Sequence, residues 1–283
     1  MNTLSLSEHE WSDKQLTPQT LESAVRFLWD DGYVVLKNVV SLSHIDILKK
    51  RTLEDLETIL ARPDAPFNFN TGNVQQDPPP FAPFLFEDVL LNPFVIQISN
   101  AVLGPRPLLG MYSGNTALPG GNRQPVHPDT SQLWPDLQHP TPAFVLVINI
   151  PLVDVDARNG GTEFWPGTHH DTSFSFHQGA PRVEEKHLAQ WRTKRPPFQV
   201  ELSRGDIVMR DIRMWHAGMP NQTEEPRPMI AMTHAPAWWA SGEVAFARQD
   251  QEFFCHPDLG VRARWVEANT DYLHHNVAYD LQR

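Results

Sequence analysis

The sequence predicts an α+β fold, a helix-flanked β-domain, on three observations. Apolar residues at helical spacing are concentrated in roughly the first hundred residues. After Gly104, short apolar runs bounded by turn residues take over. The chain also carries 26 prolines, about twice the usual frequency. Proline is excluded from helix interiors and central strands, so this abundance favours many loops joining short strands.

In order, residues 17–31 read as a helix, with Thr17 as N-cap, Pro18 in the first turn and Leu21, Val25 and Leu28 on one face. Gly32 ends it, and Tyr33-Val34-Val35-Leu36 follows as a strand. Ser43 is placed to cap a second helix reaching about Ala61, striped by Ile45, Leu48, Leu53, Leu56 and Leu60. Residues 63–84 read as a long polar, proline-studded loop, and a third helix is expected over 86–103. Strands are then expected at 143–153, 198–203, 206–210 and 227–233, with a hairpin-like turn at Ser203-Arg204-Gly205-Asp206. These elements predict one domain over residues 1–283: a helical part to about 104, a β-rich core over about 105–240, and an extension over 241–283.

Composition narrows the function. With 34 acidic against 23 basic residues the formal net charge is −11, which disfavours phosphate backbones and anionic lipid, so nucleic acid and membrane are not expected partners. A single cysteine, Cys255, cannot form an internal disulfide, and the opening MNTLSLSEHEWSDKQ lacks a secretory pattern. A cytoplasmic location is the expectation.

Gln124-Pro125-Val126-His127-Pro128-Asp129 contains a His-x-Asp pair. Along a strand, residues two apart share a face, so an imidazole and a carboxylate can grip one cation. A second histidine from a distant strand would complete a facial triad with open positions, the pattern of non-haem Fe(II) oxygenases. The pair alone is weak evidence: His44-Ile45-Asp46 and His256-Pro257-Asp258 are further examples. The former falls in a predicted helix, where a spacing of two splays the side chains, and the latter in a proline-broken turn. Only His127 and Asp129 lead into the β-rich region. There, Met214-Trp215-His216-Ala217-Gly218 follows one strand and Arg227 opens another. An arginine held at a strand start can chelate a carboxylate through its planar fork.

Four segments, in order, carry a family resemblance: Asp31-Gly32-Tyr33-Val34-Val35; His127-Pro128-Asp129; Asn159-Gly160-Gly161-Thr162-Glu163-Phe164-Trp165-Pro166-Gly167-Thr168-His169; and His216 followed by Arg227. On these the chain resembles the phytanoyl-CoA dioxygenase family of Fe(II)/2-oxoglutarate-dependent oxygenases, in its natural-product-tailoring form. The resemblance implies a double-stranded β-helix (jelly-roll, cupin-like) core flanked by N-terminal helices. It implies Fe(II) on His127, Asp129 and His216, 2-oxoglutarate as co-substrate on Arg227, and O2 as oxidant. Thr162 is implied as a second co-substrate contact. Many members carry a glutamine two positions before the first ligand; here Pro125 stands there, and the neighbouring Gln124 is the candidate for that contact.

The implied reaction is oxidation of a C–H bond in a hydrophobic small molecule, with decarboxylation of 2-oxoglutarate to succinate. Hydroxylation, desaturation, epoxidation, endoperoxidation and rearrangement all remain open, as does the oligomeric state, a homodimer included. Phe69, Asn73 and Trp134 are the substrate-pocket candidates, against the alternative that aromatics simply fill the core. Arg227 has the alternative of a surface pair with Glu224 or Glu225, and His139, His177, His234, His274 and His275 have no partner spacing. Two other classes stay open: a cupin-like metalloenzyme that does not use 2-oxoglutarate, and a non-catalytic small-molecule-binding protein of the same fold.

Overall fold

The computed structural model describes residues 1–174, 181–239, 242–267 and 270–279. In chain order the first elements are β1 (Thr3–Ser5), α1 (Glu8–Asp13), α2 (Pro18–Asp31), β2 (Tyr33–Lys37) and α3 (Leu42–Leu60). Then come β3 (Phe67–Asn68), β4 (Asn70–Gln75), α4 (Glu87–Leu90), α5 (Pro93–Leu103) and β5 (Leu108–Ala117). The β-rich region continues with β6 (Leu146–Pro151), β7 (Glu163–Phe164), α6 (Glu185–Lys194), β8 (Phe198–Gln199) and β9 (Ile207–Asp211). The last elements are β10 (His216–Ala217), β11 (Arg227–Ala235), β12 (Val244–Ala247), β13 (Gly260–Val261) and β14 (Ala263–Val266).

The main sheet runs β1-β2-β9-β6-β11-β5-β4-β3, with β13 added on β5. A smaller antiparallel sheet, β10-β7-β8, lies apart from it. Period-two alternation sorts the side chains of the main sheet. Val34 and Leu36 of β2, Ile148 and Ile150 of β6, Ile207 and Met209 of β9, and Ile230 and Met232 of β11 join one core with Ala24 and Leu28 of α2 and Phe94 and Ile98 of α5. Tyr33, Val35, Val208 and Met229 instead join Phe164, Val200 and Leu202 from the region of the smaller sheet. The chain therefore places helices on one face of the main sheet and the small sheet on the other. This is an α+β arrangement, and the double-stranded β-helix class is borne out by the structural likenesses reported below.

Most expected elements are found. Thr17 caps α2, its hydroxyl accepting from Thr20 N, and Gly32 ends the helix at φ 83°, where a side chain would be strained. The second helix begins two residues earlier than expected. Ser41 is its N-cap, and Ser43 lies inside it, its hydroxyl bonded to that of Ser41. The helix expected over 86–103 is two helices, because Asn92 caps Pro93–Leu103 by accepting from Phe94 N and Val95 N. The expected loop over 63–84 contains β3 and β4, with β4 paired to β5 through Asn73, Val74 and Gln75. Its Asn- and Gln-rich sequence hides a strand whose pairing comes from its neighbour rather than from propensity. Strands thus begin well before residue 105.

Candidate metal centre

His127 and His216 face each other across an isolated antiparallel bridge. The His127 N–H donates to the His216 carbonyl (3.0 Å), and the reverse bond measures 2.9 Å. His127, Pro128 and Asp129 do not lie in a regular strand, contrary to the alternation argument. The bridge and the Asp129 N–H, which donates to Ile212 O (3.1 Å), orient the segment instead. Ligand atoms of His127, Asp129 and His216 all lie within 4.8 Å of one another. Among the described residues this is the one group of three or more such side chains gathered so closely.

Backbone carbonyls fix both imidazoles. His127 Nδ1 is 2.8 Å from Pro125 O, and His216 Nδ1 is 3.1 Å from Met214 O. A carbonyl only accepts, so each Nδ1 carries the proton and each Nε2 lone pair points into the site. Burial pushes the His127 pKa down, and pushes that of His216 well below the usual histidine value. Both rings are therefore neutral and able to bind a metal. Burial alone would raise the Asp129 carboxyl; the charge and hydrogen bond of Arg210 outweigh it and hold the group well below the usual range. Arg210 Nη2 donates to Asp129 Oδ2 at 2.5 Å, leaving Oδ1 turned to the histidines, 3.5 Å from His216 Nε2 and 3.9 Å from His127 Nε2.

These groups open onto a cavity of about 340 Å³ between the two sheets, a size that suits a small ligand. Arg227 lines it from the start of β11. This guanidinium is 2 % exposed. Its one hydrogen bond goes to Gly160 O (2.9 Å), while Nε and Nη1 are buried without partners. No carboxylate among the described residues pairs with it, so the alternative of a surface pair with Glu224 or Glu225 does not hold. Burial lowers its pKa to about 10, so it stays charged near neutrality. A buried cation without a counter-charge is costly and fits a site that receives an anion. Gly160, at φ 84° with Met219 O 2.6 Å from where a Cβ would stand, is the glycine whose carbonyl steadies Arg227.

The remaining sequence candidates divide. Thr162 and Asn73 line the cavity, and Asn73 Oδ1 is buried without a partner. Gln124 also lines it, but both ends of its amide are engaged. Its Oε1 accepts from Gly218 N (2.8 Å) and its Nε2 donates to Asn68 O (3.3 Å). A Cβ at Gly218 would come within 2.6 Å of that Oε1, so the amide and the glycine are fitted to one another. Phe69 packs at a tilt against the His127 ring, with centroids 4.2 Å apart, and lies against a neighbouring cavity over the ligands. Trp134 is 60 % exposed and lines none of the cavities that hold the other candidates. His177 lies outside the described residues.

Sequence reasoning missed Arg210 and the amides Gln75, Asn115 and Asn149, which also line the cavity. The available signal for Arg210 was a lone cation at alternate spacing from Val208 in the otherwise apolar run Ile207-Val208-Met209-Arg210.

The donor set of two neutral imidazoles and one carboxylate on one side of a cavity defines a metal-dependent enzyme centre of the facial-triad class. Comparison with known proteins identifies the family: residues 28–229 match the model of phytanoyl-CoA dioxygenase (PhyH), and the chain belongs to that family. It is a dioxygenase-type enzyme. The protein named dioxygenase af480 of Aspergillus fumigatus is 27% identical over 227 residues, spanning 77% of this chain and 67% of that protein. The fold is similar to that of AviO1 from Streptomyces viridochromogenes Tue57 (TM-score 0.58, 20% identity, 80% of this chain and 100% of that one). It is also similar to the epimerase SnoN, solved with Fe3+, alpha ketoglutarate and nogalamycin RO (TM-score 0.58, 17% identity, 78% and 85%). No described helix is long and apolar enough to cross a membrane.

Proposed function

We propose that the protein is an Fe(II)- and 2-oxoglutarate-dependent dioxygenase that oxidises a C–H bond of a small, largely apolar molecule, in the manner of natural-product tailoring enzymes. One observation carries this reading: a triad with both Nε2 lone pairs exposed shares a cavity with a buried, unpaired Arg227. His127, Asp129 and His216 would hold the iron, and Arg227 the distal carboxylate of 2-oxoglutarate. When bound, iron and 2-oxoglutarate supply the oxidising power, drawn from O2 with release of CO2 and succinate.

The chain's own residues do the rest. Pro125 O and Met214 O keep each Nδ1 protonated, so the ligand lone pairs need no rearrangement when the metal arrives. Arg210 occupies one oxygen of Asp129, which favours single-oxygen ligation through the other. A dicarboxylate bound in the cavity would give Arg227 the counter-charge that its buried Nε and Nη1 lack. Both imidazoles and Arg227 are buried at the cavity wall, where charge interactions are stronger than in water. Thr162 and Asn73 are the polar groups best disposed to hold the co-substrate or the substrate. SnoN, described as an epimerase, supports a reading in which the outcome at the activated carbon is set by the substrate's pose rather than by the fold.

Anaerobic addition of Fe(II) and then 2-oxoglutarate tests the proposal without any substrate. A weak visible charge-transfer band is expected in the wild type and absent in His216→Ala. Stoichiometric iron without the band would sink the 2-oxoglutarate assignment in favour of another metalloenzyme, and failure to bind iron would sink the triad.

A further inference from the structure

A second cavity of about 770 Å³ abuts the first. The two share Gln75, Met111, Ser113, Ile212 and Thr233 as walls, so the larger one opens beside the metal ligands. Its far wall comes from β12, β14 and residues 270–276. All of these lie beyond residue 229, where the match to the family model ends. This wall is anchored firmly. Tyr272 donates to Asp55 (2.6 Å) and accepts from Arg51 (2.6 Å) on α3, and Arg62 donates to the Leu273 and Asn276 carbonyls.

The chemistry of this chamber is lopsided. Pro78, Pro80, Val145, Val244 and Val266 supply apolar surface, while its acids are Asp77, Glu243 and Asp271. Only Arg264 and the titratable His275 oppose them. Arg264 is taken by Glu243 at 3.3 Å, and Asp271 pairs with His274 at 2.6 Å. Asp77 stands apart, its side chain 12% exposed against 56% for its ion-pair partner His275, 2.9 Å away. Its Oδ1 accepts from Ser113 (2.5 Å) and Asn276 (2.9 Å), which holds the carboxylate at the junction with the metal cavity, since Ser113 lines both. A mostly buried carboxylate whose one cationic partner is a half-exposed histidine can exchange that partner for the ammonium group of a ligand.

We propose that this chamber, walled by the C-terminal residues, is the substrate site, and that Asp77 selects an apolar molecule bearing a basic nitrogen. The inference rests on the dioxygenase reading above, and it narrows that reading to one substrate class. The ammonium group would seat against Asp77 while the apolar skeleton fills the space toward Val244 and Val266, leaving another part of the molecule to reach the metal cavity past Met111 and Thr233. A carboxylated or phosphorylated substrate would meet Asp77, Glu243 and Asp271 and be repelled.

Three fluorescent probes of one skeleton test this: 1-aminomethylpyrene, 1-hydroxymethylpyrene and 1-pyrenecarboxylate. Each is titrated anaerobically into full-length protein loaded with Fe(II) and excess 2-oxoglutarate, so that Arg227 is not free to capture the carboxylate. At 0.15 M salt, charges beyond about 8 Å are screened, which suppresses the general attraction of an acidic protein for cations. The ammonium probe is expected to bind about tenfold tighter than the alcohol, and the carboxylate weakest. Asp77→Asn should bring ammonium and alcohol level, and Val244→Trp should weaken all three by filling the chamber.

Equal binding of the three probes by the wild type overturns the proposal, as does an ammonium preference that survives Asp77→Asn. If Asp77→Asn does not fold, the wild-type order together with Val244→Trp still decides the matter. The 2-oxoglutarate band of the same samples separates the two readings. A band without probe selectivity sinks the substrate assignment alone. Selectivity without a band leaves an amine-binding chamber and sinks the dioxygenase reading.

Discussion

Arg213 and Arg227 are equally buried, each 2% exposed, yet their surroundings are opposite. Arg213 forks onto Asp211, with Nε to Oδ1 at 2.9 Å and Nη2 to Oδ2 at 2.6 Å. Its remaining nitrogen reaches Gln132 Oε1 (2.9 Å) and Thr141 Oγ1 (2.8 Å), and the guanidinium lies over the Phe144 ring. Arg227 has one backbone carbonyl and an open cavity. The first arginine completes the fold; the second is charged, held in place and left without a partner. Burial alone therefore does not mark a functional cation. Unsatisfied donors facing a cavity do.

The sharpest break of this comparison is Arg213→Ala. It strands Asp211, 1% exposed, without its counter-charge and should cost about 3–5 kcal/mol of stability in urea unfolding. A loss below about 1 kcal/mol would mean that Asp211 finds another partner and that the pair is not structural.

His234 offers a smaller test at a third buried base, away from both arginines. It is 1% exposed, bonded through Nδ1 to Ser99 on α5 (2.9 Å), and burial lowers its pKa to about 4. The unfolded chain takes up the proton near 6.5 while the folded chain resists it until about 4. The stability that His234 contributes is therefore present above pH 6.5 and lost as the pH falls toward 4. His234→Gln should flatten the wild-type loss over that window by about 3 kcal/mol, and parallel stability curves would contradict this.

The smallest expected effect belongs to Arg227→Met in the ligand-free protein. Removing an unpaired buried charge should change unfolding stability by less than about 1 kcal/mol, or raise it. A loss matching that of Arg213→Ala would erase the distinction between the two sites.

The parts of the site legible in sequence were those with fixed local spacing. His127-Pro128-Asp129, His216 and Arg227 converge as expected: His216 opens β10, Arg227 opens β11, and His127 is bridged to His216. The strand argument for His127 and Asp129 reached the right pair for an incomplete reason, since the segment is not a regular strand and the His127–His216 bridge together with the Asp129-to-Ile212 backbone bond orients it. β4 was invisible because Asn70-Thr71-Gly72-Asn73-Val74-Gln75 has little strand propensity and borrows its pairing from β5. Trp134 was chosen for bulk, but its exposure takes it out of the pocket. Asp77 could not be singled out, because Ser113, His275 and Asn276 come to it from distant parts of the chain.

Titrating the visible band of the Fe(II)-loaded protein with 2-oxoglutarate and with pyruvate, in wild type and in Arg227→Met, tests the central claim most directly. Pyruvate keeps the 2-oxo acid but lacks the distal carboxylate. The wild type should prefer 2-oxoglutarate by at least about thirtyfold, and the variant should bind the two alike. A preference that survives in Arg227→Met would show that another group holds the distal carboxylate, and the role assigned here to the unpaired arginine would be wrong.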